Sequence, residues 1–492
     1  MGWLAKIRNW IMNRFDTNRL ERDFNVRIAS DMDMTDLIES WLNTYQGRPA
    51  WVGESENQVL HTLCVASTMC RDLANKAVSE IEISDNSRAN EAFELFVDDE
   101  LKQQIRDQLE FGLATGAFIC RPYFDPEMNR VSLSWYTADR FIPVDWSGKR
   151  CVSGIFVDQD VVNDGGQQTV WTKMELQKWN YGKDGKGGSV DITVKLYRSN
   201  GVDNLGSEVP ISSYPKWAGI ATSAHIDTLD APLFVYAPMP FTNNKAPNSK
   251  AGVSLYKDGM SQLEHIDRAW DDLNWELQSS QNKVFVDEQM LETVRTSNGD
   301  LVPRLDAKDK RLLKVMDAQG AVGKYMDVYS PAIRQADITA ALKTNLSLLC
   351  TACGLDPGAY VYDEQSNAVT ATEIRTKNQK TYQTICAVQK WTVTPAISAI
   401  ITAVQEMQAL YDVPSFGDVD LNIAFGDSIL IDVETDKQNA QREVTLNLRS
   451  KLNYMMEYRG LSEEEAKAEL AVIATEQPET VDFFGGNEGA DS

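Results

Sequence analysis

The sequence predicts an α+β fold divided into more than one domain or subdomain, and three observations carry that expectation. At 492 residues the chain exceeds what a single hydrophobic core usually serves. Residues 80–240 hold a succession of strand-like segments separated by Gly-rich or charged turns, the pattern of a mixed, mostly antiparallel region. Beyond residue 250 the apolar spacing changes to alternating threes and fours, the period of amphipathic helices.

Taken in order, Met1–Arg22 sets Trp3, Leu4, Ile7, Trp10, Ile11 and Phe15 among Lys6, Arg8, Arg14, Arg19 and Arg22, an amphipathic helix suited to a surface or to docking on protein. A helix is expected over Asn57–Ala77, followed by the strand VSEIEISD, and a second helix over Asp98–Ala114 ending at Gly116. AFICRPYFDPEMNRVSLSWY reads as a hairpin turning at Asp125 and Pro126. DRFIPVDW, CVSGIFVDQ, WTKMELQKW and VDITVKLYR continue as strands. A Pro- and Asn-rich linker then leads into an acidic helix expected over Ala251–Lys283, whose apolar side is Tyr256, Met260, Leu263, Ile266, Trp270, Leu273 and Leu277. A module of short strands with a basic cluster follows. A helix over Pro331–Cys353 is stopped by Gly354. After a polar loop, a long helix opens with the capping-box spacing of Thr370 and Glu373 and is kinked at Pro395. LNIAFGDSILID is a last strand, and the C-terminus is helical before an acidic tail.

Composition narrows function. The 72 acidic and 48 basic residues leave a formal charge of −24, which argues against tight nucleic-acid binding, since that affinity comes from cations displacing phosphate counterions. It is compatible with letting a polyanion pass, because like charge repels within a Debye length of about 10 Å. Seven cysteines lack the dense spacing of a secreted disulfide framework, which points to a reducing interior, and no apolar run approaches a membrane span.

The search for chemistry returns little. His61, His225 and His265 are scattered, with no HExxH pattern, so structural roles are expected. Cys350 and Cys353 form a CxxC, but at the end of an apolar helix and without a second pair, and read as small core residues. Gly182–Ser189 superficially resembles a phosphate loop yet runs into a strand, so a hairpin turn is expected. The sequence predicts no enzyme, no cofactor and no metal.

The order of several segments resembles the portal proteins of tailed bacteriophages, particularly the family found in siphophages of Gram-positive hosts. The residues that carry the likeness are LATGAFICRPYFD with TADRFIPVDW, AGVSLYKDGMSQLEHIDRAWDDLNWE with KVFVDEQML, CGLDPGAYVYDEQSNAVTATEIRTKNQKTYQTI, and GDSILIDVETDKQNAQREV with YRGLSEEEA. Each segment alone is weak; their order over most of the chain is specific.

The resemblance implies a ring, typically dodecameric, at one vertex of the capsid, through which double-stranded DNA is packaged and ejected without sequence specificity. It implies a wing from 1–250 and 370–432, stem helices over 251–283 and 331–354, a clip over 284–330, a tunnel loop over 355–369, a helical crown over 433–476 and an acidic tail over 477–492. Tyr360, Tyr362, Gln365 and Asn367 would face DNA in the tunnel loop. Lys308, Lys310, Arg311 and Lys314 of the clip would meet the terminase or the head-tail connector, with a solvated strand face as the other reading. Asp267, Asp271 and Asp272 would be channel-wall or interface groups of the stem. The implied partners are other copies of the chain, DNA, the large terminase subunit, the connector, the scaffold and the major capsid protein; a stable membrane partner is not expected. The implied location is the virion, after assembly in the host cytoplasm. Two other classes stay open: a different ring-forming virion protein such as a head-tail adaptor, and a membrane-active protein using the basic N-terminal helix.

Overall fold

The computed structural model describes residues 17–28, 32–52, 54–55, 58–86, 90–164, 167–182, 187–201, 204–280, 283–287, 293–295, 301–303, 312–315, 326–329, 332–361, 379–426, 440–446, 449–459 and 463–476. These divide into a large unit, residues 1–364 with 378–425, and a small one, residues 365–377 with 426–492. The fold is mixed α+β, as the sequence predicts.

Two antiparallel sheets form the heart of the large unit. The first runs β10-β9-β8-β7-β6, from strands β6 (Phe141–Ser147), β7 (Arg150–Asp164), β8 (Gln167–Tyr181), β9 (Gly188–Ser199) and β10 (Ser207–Val209), with β11 (Ser223–Leu229) also pairing β9. The second is β12-β4-β5, from β4 (Ala117–Asp125), β5 (Arg130–Thr137) and β12 (Val235–Pro238). Strands β1 (Glu54–Ser55) and β2 (Gln58–Val59) make a small hairpin, and β3 (Ile81–Asp85) pairs the distant β18 (Leu421–Phe425).

The faces of β7 explain its sequence. Ile155, Phe156 and Val157 are consecutive and all buried, because both sides of this strand are covered. Ile155 and Val157 join Met174, Leu176 and Tyr197 beneath Leu20 and Phe24 of helix α1 (Thr17–Phe24). Phe156 faces the other way, packing with Ile119, Tyr136, Phe141 and Phe234 of the second sheet and its surroundings.

An ion pair joins the two sheets. Arg121 of β4 meets Glu175 of β8 at 2.6 Å, both side chains nearly buried, and the guanidinium lies over the rings of Tyr136 and Phe156. Gln177 donates to the other carboxylate oxygen at 2.9 Å. Burial alone would raise the Glu175 pKa, but Arg121 and these hydrogen bonds outweigh it and hold the group below its ordinary value.

The outer face of the second sheet is covered by helices. Helix α5 (Asp99–Thr115) packs directly on β4 and β5, and α2 (Met32–Tyr45) and α3 (Val65–Val78) pack on α5 in turn, with the short α4 (Glu91–Phe96) preceding it. Asp98 caps α5 by accepting from Leu101 N at 2.8 Å, and Gly116 ends it with φ 101°, as the sequence predicts. The expected Asn57–Ala77 helix begins later, at Val65, with residues 58–59 in β2.

The expected hairpin turn after β8 is present: Gly182 N donates to Gly187 O at 3.0 Å and β8 and β9 pair antiparallel. Pro395 behaves differently from a simple kink. Helices α8 (Gln379–Val388) and α9 (Thr394–Leu410) are joined by a π-turn over Gln389–Val393, which absorbs the proline one residue into α9. The capping box at Thr370 and Glu373 lies outside the described residues. The small unit includes helices Lys451–Arg459 (α10) and Glu463–Glu476 (α11).

Removing one member of a buried pair leaves an uncompensated charge. Glu175→Gln is therefore expected to cost about 3–5 kcal/mol in urea unfolding, whereas the double change Arg121→Met, Glu175→Leu is expected to recover most of that loss. Because the folded-state value is lowered, the stability contributed by Glu175 is complete above its ordinary pKa of 4.5 and is lost as pH falls below it. Unfolding midpoints measured between pH 6 and pH 3 should fall more steeply in the native protein than in the double variant, the difference reporting Glu175.

Candidate functional site: the helix pair and the loop root

The acidic helix begins nine residues later than its apolar spacing suggests. Helix α6 spans Met260–Ser279, and residues 251–259 form an irregular segment along the end of α5. The cause is a close backbone approach. A Cβ on Gly116 would stand 2.5 Å from Gly252 O, and one on Gly252 would stand 1.9 Å from Gly116 O. Leu255 N then donates to Leu113 O at 2.9 Å, and the buried Tyr256 hydroxyl donates to Trp41 O at 2.7 Å. Tyr256 fits the helical stripe by spacing but is consumed by this anchorage.

Helix α6 pairs antiparallel with α7 (Gln335–Ala352). At one end Leu349 of α7 fills the space where Gly259 lacks a side chain, its Cδ1 2.5 Å from where a Cβ would stand. At the other, Glu276 receives Arg334 through N at 3.2 Å, Nε at 3.3 Å and Nη2 at 3.1 Å. The hydrogen bonds from Arg334 hold the Glu276 carboxyl below its ordinary range. Gly354 ends α7 as expected, with φ 71°: Gly354 N donates to Thr351 O and Leu355 N to Cys350 O, a Schellman closure.

Between the helices sits the inserted module. Strand β13 (Lys283–Asp287) pairs in parallel with β16 (Leu312–Val315) and antiparallel with β17 (Met326–Tyr329), while β14 (Thr293–Arg295) and β15 (Leu301–Pro303) form a separate hairpin. Lys314 lies on β16 in register with Val286; Lys308, Lys310 and Arg311 lie outside the described residues.

The three acids of α6 singled out by the sequence separate. Asp267 is 4% exposed, so the expectation of a channel-wall or interface role is corrected. Its carboxylate accepts from Trp51 Nε1 at 2.8 Å, Thr62 Oγ1 at 3.0 Å and Leu63 N at 2.8 Å. This staple also holds residues 62–63 out of helix, so α3 starts at Val65. Asp271 is half-buried and Asp272 exposed.

The polar loop after α7 has a built root. Thr381 Oγ1 accepts from Asp356 N at 3.1 Å while Asp356 Oδ2 accepts from Thr381 N at 2.9 Å, and Thr384 Oγ1 donates to Gly354 O at 2.7 Å. Tyr360 belongs to this root: it is half-buried, and its hydroxyl donates to Asp72 Oδ2 of α3 at 2.8 Å. Burial, reinforced by that carboxylate, pushes its pKa up. Tyr362, Gln365 and Asn367 lie outside the described residues. Cys350 and Cys353 are buried, and burial raises both thiols, consistent with core positions.

Sequence reasoning missed the Asp356–Thr381 clasp, the Arg121–Glu175 pair and the Glu276–Arg334 pair. Each links residues 25 to 58 positions apart, and no local spacing signals them. Of the histidines, His225 is engaged by Asp191 at 2.5 Å and Asp227 at 2.9 Å on an exposed sheet edge.

These elements define a scaffold: two sheets carrying a paired-helix projection with a strand module inserted at its end. Residues 77–480 match the family model described as phage portal protein, SPP1 Gp6-like, and the chain belongs to that family. A comparison with curated proteins finds no match. Among solved structures the chain is similar to a protein of the neck of an empty GTA particle computed with C6 symmetry, at 10% identity over 86% of this chain and 94% of the other, with a TM-score of 0.39. A protein of the native gene transfer agent virion gives 11% identity over 86% and 93%, with the same TM-score.

The contrast between the acids is measurable. Asp267→Ala removes the buried acceptor of three part-buried donors; a buried group left unpaired costs about 1–3 kcal/mol, so a loss of that order is expected in denaturant unfolding. Asp272→Ala is expected to stay within about 0.5 kcal/mol of the native protein.

Proposed function

We propose that the chain forms a closed, dodecameric ring at one capsid vertex and that double-stranded DNA passes along its axis during packaging and ejection. In this reading 1–250 and 370–432 are the wing, α6 and α7 the stem, 284–330 the clip, 355–369 the tunnel loop and 433–476 the crown. The origin is a siphophage of a Gram-positive host.

The observation that carries the reading is the unlike character of the two exposed helix faces. Helix α6 presents Trp275, 62% exposed, with Leu277; α7 and its approach present Ile333, Leu348, Ala336, Ala340 and Ala341. A large exposed aromatic on one helix and small residues on the other suit a head-to-tail contact that closes on itself. Family membership supports the same arrangement.

The net charge of −24 favours passage over retention of DNA. Tyr362, Gln365 and Asn367 would touch it as polar, uncharged groups, with Tyr360 holding the loop's root. Lys308, Lys310, Arg311 and Lys314 would meet the large terminase subunit and later the head-tail connector; scaffold and major capsid protein would contact the wing. The chain itself carries out no reaction, and the motor is a separate subunit.

Negative-stain imaging of the purified chain tests this. Rings with a central channel are expected, Trp275→Glu is expected to abolish them, and a protein that stays monomeric under assembly conditions would overturn the reading. Replacing Lys310, Arg311 and Lys314 with Glu should weaken terminase binding severalfold while leaving the ring intact; unchanged binding would remove that role.

A further inference from the structure

An apolar patch lies where the β4–β5 hairpin meets the end of α9. Phe124 stacks on Tyr411, ring centres 4.5 Å apart and planes 12° from parallel, fixing the hairpin against the helix end. Around that stack Tyr411 is 48% exposed, Leu410 43%, and Met128 in the hairpin turn 63%. Its exposed charges are Glu127 and Asp412 with Arg130, so the rim is acidic on balance.

The chain also contains a segment of the opposite character. Residues 1–15 carry Lys6, Arg8 and Arg14 and no acid, beside the stripe Trp3, Leu4, Ile7, Trp10, Ile11 and Phe15. That stripe does not continue the face α1 buries. On a wheel of about 100° per residue it points about 130° away from Leu20 and Phe24, which are sunk in the first sheet. Lys6, Asn9 and Asn13 are the residues in line with Leu20 and Phe24. A helix carried back unbroken from α1 would therefore turn that stripe away from the sheet that receives α1.

We propose that the basic apolar segment 1–15 of one copy docks on the Phe124–Tyr411 patch of an adjacent copy, an arm exchanged between neighbours. The proposal rests on the ring reading for the adjacency of copies. Charge complementarity favours this occupant: an apolar stripe with three cations and no acid meets an apolar patch whose neighbouring exposed charges are two carboxylates and one guanidinium. The 16 residues ahead of Thr17 give the arm about 24 Å of reach if helical and more if extended.

Site-specific crosslinking tests it in the full chain. Cys64, the exposed cysteine among the described residues, is first replaced by Ser. Two differently tagged versions, one Trp10→Cys and one Met128→Cys, are co-expressed, imaged by negative stain, and treated with a short thiol crosslinker. The expected result is a two-chain product carrying both tags, lost when Lys6, Arg8 and Arg14 are all changed to Glu. Rings without that product would overturn the arm exchange while leaving the ring reading standing. So would a product formed only within one chain that bears both cysteines, or flotation with anionic vesicles that depends on residues 1–15 and no crosslink. If no rings form, the imaging overturns the ring reading and with it the adjacency of copies that the arm exchange needs.

Discussion

The meeting of two glycines, Gly116 and Gly252, is the constraint on which the functional half of the molecule depends. Gly116 closes α5 in a left-handed conformation, gives its carbonyl to Met239 N at 2.8 Å, and leaves no room for any side chain on the segment that crosses it. From that crossing follow the Leu255–Leu113 bond, the burial of Tyr256 and the placement of Gly259, where α6 begins. The orientation of the projecting helix is thus set by a backbone contact behind it. The Asp267 staple then fixes its rotation, because only one face of α6 can reach Trp51, Thr62 and Leu63 at once.

Polar groups do this positioning at every junction. Arg121 and Glu175 hold sheet to sheet, Glu276 and Arg334 hold the far end of the helix pair, and Asp356 with Thr381 holds the loop root. A hydrophobic contact tolerates sliding; a carboxylate with several directed donors does not. Such links are therefore suited to fixing register between elements whose apolar surfaces alone would leave it loose. The exposed pair at Glu276 contributes less energy than the buried ones, since solvent screens it.

Much of the fold was legible because its signals are local. The helix over Asp98–Ala114, the stops at Gly116 and Gly354, the Asp125 turn and the strand alternation each depend on residues within a few positions of one another. What was not legible depends on distant partners. The spacing of Tyr256 fits a helix as well as it fits an anchored loop, and only the approach of Gly116 decides between them. Asp267 looks like any acid on an acidic helix until Trp51 arrives from more than two hundred residues away. Tyr360 reads as a loop aromatic, and Asp72 makes it part of the loop's foundation. Pro395 signalled an interruption, but the π-turn that accommodates it follows from packing: Gln389 bonds Ala77 O and Thr392 bonds Pro238 O on either side of the exposed Trp391.

The lodging of Leu349 in the space left by Gly259 has a mechanical consequence. A side chain seated against a missing side chain acts as a detent. Sliding α7 along α6 by a fraction of a turn would bring Leu349 against Tyr256 or Met260 instead of the gap, so intermediate offsets are sterically penalised. Axial force reaching the helix pair through β13 and β17 would meet a stiff strut up to a threshold.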